Sequence, residues 1–170
     1  MSLGDIRINR QAVRNAVRSA IGQSPYNEDI QFVVLREAKI GDPIPVVTPQ
    51  GKPAFWLIPL LAGDWACGFA TVGLGGNVTR LGIFGGAPND RPAWVKADFF
   101  IRPPGDILAE IEAHYPGREL SLPVFSYDSN PARWGWMMSI TQPDVHPVVI
   151  FITPGGWYVQ PTAIPGNFER

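Results

Sequence analysis

Val13, Val17, Ala20 and Ile21 recur at the i, i+4, i+7, i+8 spacing of one buried helix face. Asn9 before them is a good N-cap and Gly22 after them a good stop, so the pattern predicts a helix over Asn9–Ile21. From there the pattern changes to short apolar runs broken by turn residues. The run "IQFVVLREA" has the β-branched and aromatic content of a strand. "KIGDPIPVVTPQGKP" carries four prolines, which exclude a central strand over its length and leave a loop or edge with a short strand near Val46.

A meander follows. Phe55–Leu61, Trp65–Val72 and Val78–Phe84 read as strands, joined by the turns "AGD" and "GLGGN". After the loop "GGAPNDRP", "AWVKADFFI" reads as a further strand. "RPPGD" leads into a second helix, Ile107–Tyr115, which Pro116 and Gly117 end. "LSLPVFSYD" is a strand candidate, and "WGWMMSI", "VHPVVIFI" and "WYVQP" make a second meander.

The two meanders overlay without gaps at an offset of 80 residues: Trp56 on Trp136, Asp64 on Asp144, Gly75-Gly76 on Gly155-Gly156. The expectation is therefore an α+β fold, a helix packed on an antiparallel sheet, duplicated. Its divisions are a flexible N-terminus (1–8), a first helix-plus-sheet unit (9–101), a second (102–161) and a tail (162–170), in one compact body. The stretch "FWLIPLLAGDWACGFATVG", a W-x-I-P-like strand, a short turn and a strand ending at glycine-rich residues, resembles the paired strands of cystatin-like and PepSY-like (propeptide-like) domains. The resemblance spans about residues 9–84 and 105–160. It implies a helix on a sheet in each unit and a role in regulating peptidases. The Gln-x-Val-x-Gly loop of inhibitory cystatins is missing.

Composition sharpens this picture. Eighteen glycines and 18 prolines in 170 residues favour short elements and many turns over a helical bundle. A net charge of −1 gives no global pull toward nucleic acid. Arg10, Arg14 and Arg18, with Arg7, form a local basic stripe on the first helix, read as a solvated face. The longest apolar run is about half a membrane span, and no signal-peptide pattern opens the chain, so a soluble protein is expected, its compartment unassigned.

Candidate chemistry is thin. Cys67 is the single cysteine, and a thiol nucleophile needs a base such as His146 within reach. An apolar strand position, buried and inert, is the simpler reading. His114 suits the last turn of its helix, with Glu110 as partner. Asp64 and Asp144 sit at turns, and Asp128-Ser129-Asn130 fits an Asx turn better than a calcium loop. No catalytic residue, cofactor or metal is expected. Six tryptophans remain, and Trp65, Trp134 and Trp157 are the candidate partner-binding residues. The reading is a non-enzymatic domain that binds a protein or peptide, with no nucleic-acid partner and an unassigned oligomeric state. The second reading is a small-molecule-binding or enzymatic domain with a pocket between helix and curved sheet.

Overall fold

The computed structural model describes residues 9–25, 29–84, 94–128, 130, 133–142 and 145–160, with the backbone alone at 30, 31, 141, 142 and 145–147. The expected flexible N-terminus (1–8) and tail (162–170) lie outside these residues. The chain divides into two compact units, Met1–Pro104 and Gly105–Arg170.

The first unit holds α1 (Arg10–Gln23), α2 (Ile30–Glu37), β1 (Lys39–Ile40), β2 (Ile44–Val47), β3 (Pro53–Ala62), β4 (Trp65–Gly73), β5 (Val78–Ile83) and β6 (Val95–Lys96), followed by a 3-10 turn at Ala97–Phe100. Its sheet runs β2-β3-β4-β5, with β1 also on β3 and β6 also on β4. All of these pairs are antiparallel.

α1 begins where Asn9 accepts the backbone N–H of Ala12 at 3.0 Å, satisfying one of the free donors at a helix start. Its face Val13, Val17 and Ile21 joins Trp56, Ile58 and Leu60 of β3 and Cys67, Ala70 and Val72 of β4 in one buried cluster. The alternation 56, 58, 60 is the period of a strand showing one face to a helix. The helix continues through Gly22 and is capped at Ser24, whose N–H donates to the Ile21 carbonyl. Glycine is not required there, since nothing lies within 4 Å of where a Cβ would be, and it costs the helix about 1 kcal/mol relative to alanine.

Two expected strands are other structures. "IQFVVLREA" is α2: the amides of Phe32 and Val33 both donate to the Asp29 carbonyl, opening a helix. Its buried Leu35 and partly buried Phe32, with Ala38 just beyond its end, run at a spacing of three. Packing therefore overrides β-branched content, because Leu35 lies directly over Gly68 of β4. "AWVKADFFI" forms only the two residues of β6 before the 3-10 turn, in which the Ile101 and Arg102 amides donate to the Asp98 carbonyl. There Phe99 and Phe100 meet edge to face at 5.7 Å, and Phe84 lies 6.5 Å from Phe100.

The second unit holds α3 (Gly105–His114), β7 (Glu119–Leu120), β8 (Val124–Tyr127), β9 (Trp134–Gln142), β10 (Val145–Thr153) and β11 (Gly156–Gln160). Its sheet runs β11-β10-β9-β8, with β7 also on β9, again antiparallel throughout. Phe125, Trp136, Met138, Ile140, Ile150 and Ile152 are buried here, as is Ile111 of α3.

The expected architecture, one helix on a sheet repeated twice, is thus corrected. The described residues form eleven strands and three α-helices, so the protein is dominated by sheet. The first unit carries two helices and the second one. The physical reason lies in the turn density: few stretches between prolines and glycines are long enough to complete three helical turns. The meanders share a narrower feature. Trp56↔Val72 through Leu60↔Gly68 in β3–β4 has the register of Trp136↔Ile152 through Ile140↔Val148 in β9–β10. Each pair then breaks register toward its turn, between Leu60 and Leu61 in one and between Val145 and Val148 in the other.

Candidate functional site

β11 is the strand that offers most to a partner. Among the described residues it pairs only with β10. A terminal strand presents backbone N–H and C=O groups that another strand can pair with. The cross-strand pairs sort its side chains. Trp157 and Val159 lie opposite Ile152 and Ile150 on one face, and Tyr158 and Gln160 lie opposite Phe151 and Val149 on the other.

The second face is tied down. The Tyr158 hydroxyl and Gln160 Nε2 donate to the two oxygens of Asp128, each at 2.8 Å, and the Tyr158 ring stacks on Phe151 at 6.0 Å. Burial, then the hydrogen bond to the Asp128 carboxylate and its charge, push the Tyr158 phenol up to about 12. Asp128 is therefore a structural anchor for β11. Both faces keep some exposure, Tyr158 at 36% on the second and Val159 on the first. Val159 is 44% exposed, and half-buried Trp157 meets the rings of His114 and Tyr115 edge to face at 5.6 and 6.5 Å. The end of α3 thus makes an aromatic wall beside the strand.

The three candidate tryptophans fall in different places. Trp157 belongs to this surface. Trp65 is half-buried against the core of the first unit. Trp134 is 6% exposed, with its ring centroid 5.8 Å from that of Phe125, and is core. Tyr158 and Val159 are not among the sequence candidates, which rest on tryptophan alone; the place of "WYVQP" at the end of the second meander is the signal that points to them.

Cys67 is fully buried, and its Sγ lies 3.2 Å from the Leu60 carbonyl, to which it donates. Burial pushes the thiol up to about 11, against a smaller lowering by a backbone hydrogen bond, so thiolate is scarce at neutral pH. His146 and Asp144 lie outside the described side chains. His114 is exposed beside Tyr115, with ring centroids 4.9 Å apart. The "GLGGN" segment is a hairpin turn, in which the Gly73 amide donates to the Asn77 carbonyl and Gly76 adopts a φ of +88°. Among the described residues, no three His, Cys, Asp or Glu side chains gather as metal ligands, and no helix is long and apolar enough to cross a membrane. No family model, curated protein or solved structure matches the chain.

Proposed function

We propose that the chain is a non-enzymatic binding domain that takes an extended segment of a protein or peptide along β11. The observation that carries this reading is the terminal strand itself, with Val159 exposed beside Trp157 and with Tyr158 and Gln160 clamped to Asp128. Strand addition draws affinity from main-chain hydrogen bonds and specificity from alternate side chains. Here the incoming side chains on the Trp157–Val159 face would meet the rings at the end of α3. An apolar or aromatic residue fits that wall. The resemblance to cystatin-like and PepSY-like domains makes a peptidase one class of partner to try first.

The test begins with selection of binders from a random peptide library, followed by titration of a selected peptide into the isotope-labelled chain. Amide shifts and slowed hydrogen exchange should concentrate at 156–160. Trp157→Ala should weaken binding by about 2 kcal/mol, the usual loss for an aromatic anchor. Shifts confined to other elements, with W157A binding as the wild type does, would remove β11 as the site.

A further inference from the structure

We propose that the groove between α1 and β1 binds acidic side chains of a peptide segment, as a second site separate from β11. The groove is an open hollow of about 350 Å³ lined by Gln11, Arg14, Asn15, Arg18, Lys39 and Ile40. Arg10 adds a fourth cation at its end, through the carboxylate it shares with Arg14. Asp42 is the one carboxylate paired with these cations among the described residues, at 3.0 Å from Arg14 and 3.7 Å from Arg10. Two of the four cations thus share one carboxylate, and Arg18 and Lys39 form no ion pair among the described residues. The chain's net charge of −1 hides this, because the imbalance is local.

Three features turn a charged face into a site for a peptide. Arg18 is held in place: its Nη1 donates to the Arg36 carbonyl at 2.8 Å and its Nη2 to the Ala38 carbonyl at 3.1 Å. Its charge is thus fixed at the groove, with the side-chain entropy already lost. Lys39 is exposed and forms no ion pair among the described residues, so its ammonium is free for a ligand. The lining is also mixed in character. Buried Ile40 gives it an apolar element, and the amides of Gln11 and Asn15, joined at 3.0 Å, offer hydrogen-bonding groups for a peptide backbone. Among the described residues no aromatic side chain lines the groove to stack a base, which separates it from a single-strand nucleic-acid channel. Asp42 already shows the chemistry, a carboxylate on Arg14, and Arg18 and Lys39 bring two further cations to the same lining.

The experiment titrates a short oligoglutamate peptide into the full chain at low ionic strength, with oligoglutamine as the uncharged control. Lys39→Gln should weaken binding about threefold and Arg14→Gln with Lys39→Gln about tenfold or more, as expected for loss of charge-assisted contacts. Asp42→Asn removes the internal competitor and should tighten binding. Circular dichroism checks each fold, and if the Arg14 variant unfolds, K39Q and D42N decide alone. Any of four results would overturn the site: binding unchanged in K39Q, weaker binding in D42N, an oligonucleotide of equal charge binding as tightly, or self-association of the chain that the same substitutions abolish.

Discussion

At Cys67, position decides chemistry. β3 and β4 lose register between Leu60 and Leu61, so Ala66 faces Leu61 and Gly68 faces Leu60, with Cys67 as the extra residue between. Its thiol donates to the Leu60 carbonyl and is fully buried. Thiol reagents should therefore label the folded protein only as fast as it opens, and labelling in mild denaturant should track unfolding; rapid labelling of the native state would contradict this burial. The same burial sets an alkaline limit. With the folded thiol near 11 and an ordinary value of 9.0, the unfolded chain loses its proton first. Stability from this group is whole below pH 9.0 and is lost as pH rises through about 11. Tyr158, raised from 10.0 to about 12, acts with the same sign in a window one unit higher. In denaturant titrations across this range, C67A should flatten the lower part of the alkaline decline and Y158F the upper part. Cys67's burial was legible in its apolar neighbours. That of Trp134 was not, because alternation tells which residues share a face and never what covers that face.

The helices show where element-scale reading works and where it fails. α1 was legible because its apolar stripe, its cap and its length all agree. α2 was not, since eight residues rich in valine satisfy either period until the neighbouring surface is known. What settles it is a glycine in another element. A Cβ on Gly68 would come within 2.7 Å of Leu35 Cδ2 and 2.5 Å of the Gly82 carbonyl oxygen. Only the bare backbone lets α2 sit against β4 and β5 there. Arg18 then closes the arrangement, its guanidinium satisfying the carbonyls of Arg36 and Ala38 at the end of α2. Gly68→Ala should lower stability by about 1–3 kcal/mol through overpacking, and Leu35→Ala by about 2–5 kcal/mol through the cavity it leaves. The two should be partly non-additive in a double-mutant cycle, because the smaller side chain removes the clash with Leu35 and leaves the one with the Gly82 carbonyl. Chemical denaturation of the four proteins measures this; simple additivity would mean that α2 does not rest on Gly68. The strands of both meanders were legible from their turns, whereas the short β1, β6 and β7, two residues each, have no pattern of their own to read.

Over the whole chain, the charges divide as the units do. Met1–Pro104 carries eleven Lys and Arg against eight Asp and Glu, and Gly105–Arg170 three against seven, so formal charges of +3 and −4 make up the net −1. The composition was legible from the start, but the division needs the boundary at Pro104, which the fold supplies. The two proposed sites fall one in each unit and differ in the force they use. β11 offers backbone hydrogen bonds and apolar rings; the α1–β1 groove offers exposed cations. Salt separates these. The Debye length falls from about 30 Å at 0.01 M to about 10 Å at 0.1 M, which weakens attraction between exposed charges far more than apolar contact. Oligoglutamate binding should therefore fade over that range, while binding of a library-selected peptide at β11 should hold nearly constant. The substitutions should separate in the same way: K39Q should leave the β11 peptide untouched, and W157A should leave oligoglutamate untouched. Titrations of both ligands against wild type and each variant, at both salt concentrations, make the comparison complete. Parallel salt dependence of the two ligands, or either substitution weakening both, would mean one shared surface in place of two.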